Sequence, residues 1–410
     1  MHPQAKKIAE LIGDKVIVVI EPTPNYRASI KQFLANLRLK NVRVVSSTAE
    51  AKREMLVNTG RIGAFIVEWR QGEENGLQFC RNLRQTPGYR DIPFVLTSVE
   101  NLKNDVVLAS EVGVTGYLLK PFSYEDFCDH LFMVIQQRHE PSPVNQLLDE
   151  ADKRLAERQY DAARKMYLDA SNMKPDSARA ITGLAKVAGG KGHHKEALAL
   201  VHEAIKLNPT YVEAHRVMLH IYHVLNDTTG VKRAALVLHQ MSPDNPKYTL
   251  MLAKADLELG NFEPSEEFFR KTIRISPKLA EAYKGLGNLY MTKQDYDNAM
   301  KNYSKALDLD KDDISVLNSF GLAFVKQGKM KEGVQKYLMA LKLDPQNIRV
   351  LFNIGYASEK LGDVEKAKLY YHKAVSIDPH FRKAKRRLGF IAQGLAGKED
   401  EEDQPGRKVG

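Results

Sequence analysis

Residues 280–313 read AEAYKGLGNLYMTKQDYDNAMKNYSKALDLDKDD. Tyr283, Leu286, Gly287 and Tyr290 recur at the spacing of one helical face, a polar turn occupies 293–295, and Tyr296, Ala299, Tyr303, Ala306 and Leu307 repeat the helical pattern. Two amphipathic helices in 34 residues make a hairpin that cannot bury both apolar faces by itself. Copies of the same hairpin must supply the rest of the core.

The chain supplies them. Proline closes the second helix at Pro175, Pro209, Pro243, Pro277, Pro345 and Pro379, always in steps of 34 or twice 34, with Lys311 at the skipped place. Seven repeats follow, starting at 144, 178, 212, 246, 280, 314 and 348, with no insertion. This period and pattern resemble the tetratricopeptide (TPR) repeat. The resemblance implies a right-handed α-solenoid whose groove, lined by the first helix of each repeat, binds a protein or peptide. Repeats five to seven carry Gly287, Gly321 and Gly355 in their first helices, where glycine gives up about 1 kcal/mol of helix propensity relative to alanine. Such glycines require a close neighbour. The third repeat is the most divergent, with Val231 and Leu238 where small residues are expected. Residues 382–397 read as a solvating end helix, and the charged segment 398–410 as a disordered tail.

Ahead of the repeats the period changes. VIVVI (16–20), VRVVSS (42–47), AFIV (64–67), PFVLT (93–97) and GYLL (116–119) read as strands. Helices are expected over 25–39, 49–58 (capped by Thr48), 77–85, 101–112 and 123–138. Alternation of this kind implies a doubly wound five-stranded parallel sheet with a site at the carboxyl ends of its strands. The fold class is therefore α/β plus all-α. The organisation is a sheet domain over 1–139, a stiff linker EPSP at 140–143 that keeps it close to the first repeat, and repeats over 144–381.

The sheet domain resembles the receiver domain of bacterial two-component response regulators. The resemblance rests on IEPTPNYR (20–27), EW (68–69), LTS (96–98) and GVTGYLLKPF (113–122). In that family an acidic pair after the first strand and an aspartate after the third hold Mg²⁺, the aspartate accepts a phosphoryl group from a histidine kinase, and a Thr/Ser and a Lys contact the phosphoryl oxygens. The matching positions here are Glu21 and Pro22, Glu68, Thr97 and Lys120, with Tyr117 at the aromatic that reports phosphorylation. Two of these depart from the pattern. Pro22 removes a carboxylate where a hard cation needs oxygen ligands, so no Mg²⁺ or other cofactor is expected. Glu68 is one methylene longer than aspartate, which displaces its oxygens from in-line phosphoryl transfer. The resemblance thus implies a pseudo-receiver, one version being a locked mimic in which Lys120 pairs with the Glu68 carboxylate. An unorthodox phosphoacceptor is the other reading.

A carboxylate-clamp pattern of some TPR proteins is matched in part. Lys284 and Asn288 lie one turn apart on one helix face; Asn318 and Ser319 follow in the next repeat, and Arg349 and Asn353 in the seventh. Ordinary groove polarity is the competing reading. His220 and His223 have no acidic or cysteine partner at a ligand spacing, so no metal site is expected.

Composition excludes other classes. Hydrophobic residues make up 43% and charged residues 27% of the 410, as in globular proteins. No apolar run approaches the roughly 18 residues of a membrane span, and Ile8–Ile12 is too short and too soon followed by charge to be a signal sequence. Cys80 and Cys128 form no disulfide framework, which fits the cytoplasm. The net charge of +10 belongs to the repeats: residues 141–397 hold 40 Lys+Arg against 30 Asp+Glu. Only Arg382–Arg387 cluster tightly, and that run reads as a solvated face rather than a nucleic-acid footprint. No nucleophile–base, Walker or dinucleotide motif appears. The sequence therefore describes a non-enzymatic signalling adaptor. The two resemblances imply that its receiver docks a kinase, a regulator or a second copy by the fourth-helix, fifth-strand, fifth-helix face, and that its repeats bind a second protein. A phosphorylation-switched regulator with TPR output and a nucleic-acid binder using the basic repeats are the alternatives.

Overall fold

A computed structural model of the chain describes residues 2–69, 75–89, 91–99, 109, 113–139 and 141–397. Apart from Ala109, the helix expected over 101–112 lies outside the described residues, as do Gly72, Glu73, Glu74, Glu140 and the tail 398–410. The chain forms two compact units, Met1–Pro243 and Asp244–Gly410.

The first unit begins with a helix, α1 (Ala5–Ile12), followed by β1 (Val16–Ile20), α2 (Pro24–Asn36), β2 (Val42–Val45), α3 (Thr48–Val57), β3 (Ile62–Glu68), α4 (Gly76–Gln85), β4 (Phe94–Ser98), β5 (Gly116–Leu119) and α5 (Tyr124–His139). The strands form one parallel sheet in the order β2-β1-β3-β4-β5. Because side chains alternate along a strand, each central strand feeds two cores. Ile17, Val19, Ala64, Ile66, Val95 and Leu118 pack with Ile8 and Ile12 of α1, Ile30 and Leu34 of α2, and Phe127, Leu131 and Ile135 of α5. Val16, Val18, Ile20, Phe65, Val67, Phe94 and Leu96 pack on the other side with Ala51, Leu77, Phe79, Cys80 and Leu83. Thus the apolar run of α1 closes one face of the sheet. The cap of α3 is Ser47, not the expected Thr48: the Ser47 hydroxyl accepts the Glu50 amide, and Thr48 is already helical.

The same unit continues with three hairpins: α6 (Pro143–Ala156) with α7 (Tyr160–Met173), α8 (Ala178–Gly190) with α9 (His194–Leu207), and α10 (Val212–Val224) with α11 (Thr228–Met241). Pro143 is the first residue of α6 and Ser142 caps it, so the joint after α5 has little slack. An open cleft lies beside this joint, lined by Arg84, Val114 and Arg138 from the sheet domain and by Asn145, Asp149 and Arg179 from the hairpins.

The second unit holds α12 (Pro246–Glu258) with α13 (Phe262–Ile275), α14 (Ala280–Thr292) with α15 (Tyr296–Leu309), α16 (Ile314–Lys326) with α17 (Met330–Leu343), α18 (Ile348–Lys360) with α19 (Val364–Ile377), and α20 (Arg382–Ala392). No helix among the described residues is long and apolar enough to cross a membrane.

The 34-residue period is geometric as well as chemical. One position in the inter-helix turn has positive φ in every hairpin: Arg158, Gly192, Asn226, Gly260, Gln294, Gly328 and Gly362. It is the left-handed residue that ends the first helix, a role glycine fills without strain. The glycines at 287, 321 and 355 are accounted for by aromatic rings. A Cβ there would lie 2.6, 2.5 and 2.6 Å from the rings of Tyr303, Tyr337 and Tyr371 of the same hairpins. In the divergent third hairpin the close approach moves one residue earlier. A Cβ on Gly230 would lie 2.4 Å from the Tyr222 ring, while Val231 turns partly to solvent.

Candidate functional site

The carboxyl ends of the central strands bring four distant residues together. Glu21 follows β1, Glu68 ends β3, Thr97 lies beside Glu68 in β4, and Lys120 follows β5. The Lys120 amide donates to the Ser98 carbonyl at 2.7 Å, and the Lys120–Pro121 peptide is cis. All four side chains are buried.

Inside this pocket Lys120 Nζ donates to Glu21 Oε2 at 2.5 Å and also to Glu68 Oε2. Thr97 Oγ1 donates to the same Glu68 oxygen at 3.2 Å. The Thr23 amide donates to Glu21 Oε1 at 2.9 Å, and Arg27 donates to the Glu21 carbonyl, holding the loop after β1. The Tyr26 ring covers the outer side of the ammonium, with Nζ 4.3 Å from its centroid. Among the described residues, then, one ammonium bridges two carboxylates under an aromatic cover. Desolvated charges of this kind persist only when paired and hydrogen-bonded.

Pro22 is exposed and lies outside this cluster. Tyr117 is half-buried and meets Trp69 edge-to-face, with centroids 6.4 Å apart and planes at 81°. Gly76, which opens α4, has no room for a side chain, since a Cβ would lie 2.4 Å from the Glu68 carbonyl oxygen. The backbone behind Glu68 is thereby fixed on two sides, because the Trp69 amide also donates to the Thr97 carbonyl. Sequence reading overlooks Tyr26; its signal is an aromatic one turn into the loop and helix that follow β1.

The six repeat residues singled out from sequence do not form one cluster. Lys284 Nζ pairs with Asp313 Oδ2 at 3.0 Å, so this clamp lysine already holds the carboxylate that caps the first helix of the next hairpin. The Asp313 carboxyl lies below its usual value: burial pushes it up, but the Lys284 ammonium together with hydrogen bonds from Val316 and Ser315 outweighs this. Asn288 accepts from the Tyr303 hydroxyl at 2.7 Å, and Ser319 also hydrogen-bonds Tyr303. Asn353 donates to Asn318 at 2.8 Å across two hairpins. Arg349 is exposed.

Other polar pairs tie successive first helices together, and sequence reading misses them. In the first unit Arg179 bridges Asp149 and Asp152, and Lys186 pairs with Glu213. In the second unit Lys254 pairs with Glu281 at 2.5 Å. At the last hairpin Glu359 is buried and receives Arg387, the Tyr371 hydroxyl at 2.8 Å and the Gly397 amide at 2.7 Å. Burial pushes the Glu359 carboxyl up, but these donors outweigh it and hold it below the usual range.

Comparison with known proteins agrees with both halves. A response regulator receiver domain model matches residues 17–132. Tetratricopeptide repeat models match 148–212, 287–328, 321–362 and 348–381. The chain is similar to the chemotaxis protein CheY homolog of Campylobacter jejuni, at 28% identity over 26% of this chain and 82% of that protein. It is similar to human tetratricopeptide repeat protein 13, at 27% identity over 47% of this chain and 23% of that protein. A solved tetratricopeptide repeat protein from Parabacteroides merdae covers 61% of this chain and 98% of its own, at 15% identity and a TM-score of 0.47. The chain therefore carries an N-terminal response regulator receiver domain followed by tetratricopeptide repeats.

Proposed function

We propose that the chain is a non-enzymatic signalling adaptor whose receiver is a pseudo-receiver, held shut by its own ion cluster, and whose repeats recruit a second protein. The observation that carries this reading is Lys120 bridging Glu21 and Glu68, with Thr97 on the same Glu68 oxygen. A lysine and a hydroxyl aimed at one anionic oxygen are what a phosphoryl group at this place requires. Here the Glu68 carboxylate receives both, which supports the locked-mimic version of the pseudo-receiver. The pairing of both carboxylates with Lys120, and the proline at 22, argue against a resident Mg²⁺.

Residues of the receiver surface then serve as a dock for a regulatory partner, and the first-helix face of the repeats serves as the recruiting surface. Similarity to CheY proteins supports a place in two-component or chemotactic signalling. The adaptor role is tested by co-purification with the tagged full-length chain and with a chain lacking residues 144–397. The reading expects one set of partners to be lost with the repeats and another to be retained by the receiver. Identical partner sets for both chains would refute it.

A further inference from the structure

The cleft beside the joint has a volume of about 900 Å³, within the roughly 300–1,000 Å³ that small-molecule sites occupy. It lies at the amino ends of the strands, since Pro93 precedes β4 and Gly113–Thr115 precede β5. The ion cluster around Lys120 lies at the opposite, carboxyl ends. The last turn of α5, with Gln137 and Arg138, forms one wall of the cleft. The first three turns of α6, with Asn145, Asp149 and Lys153, form another.

Four cations line the cleft, Arg84, Arg138, Lys153 and Arg179, against two carboxylates, Asp91 and Asp149. Two of the cations are committed within the chain. Arg179 bridges Asp149 and Asp152, at 2.6 Å each. Arg84 donates to the carbonyls of Gly113 at 2.7 Å, Ile92 at 2.9 Å and Tyr89 at 3.2 Å. It thereby pins the loops before β4 and β5, so this wall is formed in advance of any ligand.

Arg138 is different. It is exposed and has no ion pair among the described residues. Its charge nevertheless reaches Arg84. Burial pushes the Arg84 guanidinium below its usual value, and Arg138 adds to this by repulsion, against the pull of Cys80 and Asp91. The side-chain amides of Gln137 and Asn145 also lack hydrogen-bond partners among the described residues, although Asn145 is half-buried. A guanidinium and two amides, drawn from two elements and lining one cleft, are satisfied together by an anion that carries several oxygens.

We propose that this cleft binds a nucleoside phosphate, with the phosphate group held by Arg138 and by the amides of Gln137 and Asn145. The guanidinium fork matches phosphate oxygens, and the walls of a cleft strengthen the attraction. A bare phosphate would leave most of the 900 Å³ empty and would meet the Asp91 carboxylate. A nucleoside fills that space, and its hydroxyls give Asp91 donors to accept. The ligand touches α5 of the sheet domain and α6 of the first hairpin at once, so binding favours one arrangement of the joint and couples the two. The site is independent of whether Glu68 accepts a phosphoryl group.

The test is isothermal titration calorimetry of the full-length chain with the diphosphates of adenosine, guanosine, cytidine and uridine, with pyrophosphate, and with the free nucleosides. At least one diphosphate is expected to bind, about tenfold or more tighter than pyrophosphate or its own nucleoside. For that nucleotide Arg138→Ala, an exposed substitution, is expected to weaken binding about tenfold or more. Asn145→Asp puts a carboxylate into the cleft and into the first turn of α6, where the helix dipole favours it. It is expected to weaken binding while the thermal midpoint holds or rises, which separates lost binding from lost folding. Lys254→Ala, which removes a cation paired with Glu281 in the second unit, is expected to leave binding unchanged. Bound nucleotide is also expected to slow amide hydrogen exchange at the end of α5 and the start of α6. Failure of all four diphosphates to bind would overturn the inference. Pyrophosphate binding as tightly as the best of them, or undiminished binding by Arg138→Ala, would overturn it as well.

Discussion

The ion cluster of the receiver makes a quantitative demand on stability. Replacing Lys120 with methionine keeps most of the side-chain volume and removes the one ammonium that bridges Glu21 and Glu68. Both carboxylates stay buried and lose their shared counter-charge. Breaking a buried pair by removing one partner costs about 3–5 kcal/mol, because the other charge is left uncompensated. With a urea dependence of about 2 kcal/mol/M, a loss of about 4 kcal/mol moves the unfolding midpoint down by about 2 M. The assay is favourable because Trp69 is the only tryptophan, is nearly buried and meets Tyr117 beside the pocket. Its fluorescence therefore follows the receiver and not the repeats. Replacing Glu21 and Glu68 with glutamine in the same chain removes the stranded charges and is expected to recover much of the loss, as double-mutant logic requires. A midpoint shift below about 0.5 M for Lys120→Met, roughly 1 kcal/mol, would refute the reasoning.

Three further outcomes follow from the repeats. Gly287→Ala gains about 1 kcal/mol of helix propensity but forces a methyl to within 2.6 Å of the Tyr303 ring, and overpacking of this kind costs about 1–3 kcal/mol, so its thermal midpoint is expected to fall. Gln294→Gly relieves a left-handed backbone at φ 61°, which costs a side-chain-bearing residue about 1–2 kcal/mol, and its midpoint is expected to rise. Glu359 has a lowered folded pKa, so its contribution is present above the unfolded value of 4.5 and disappears as pH falls through the folded value. Glu359→Gln is therefore expected to be less stable than wild type at neutral pH and to lose less stability on acidification, as thermal melts at neutral and acid pH will show.

Legibility in the sequence follows the range of the interactions. The repeat boundaries are readable because prolines at a period of 34 are local, one-dimensional signals, and the observed first helices start at or one residue before the positions they set. The central strands are readable for a similar reason: VIVVI, AFIV and PFVLT are largely apolar runs, buried on both faces. Where two neighbouring residues compete for one role, sequence is a poor guide. Ser47 and Thr48 are both competent caps, and only the backbone shows that Thr48 is already inside the helix. The third hairpin reads as lacking its small residues because its close approach has moved to Gly230. Partner choice is the least legible feature. Lys120 can be given either Glu21 or Glu68 from sequence, and it contacts both. Lys284 reads as facing a ligand and instead holds Asp313, 29 residues on, because stacking of first helices sets which side chains meet.

The central claim is that the phosphorylation pocket is occupied by its own lysine and carboxylates. Incubation of the full-length chain with acetyl phosphate and Mg²⁺, followed by intact-protein mass spectrometry, tests it most directly. The account predicts an unchanged mass. A mass increase of one phosphoryl group on wild type, abolished by Glu68→Ala, would contradict it.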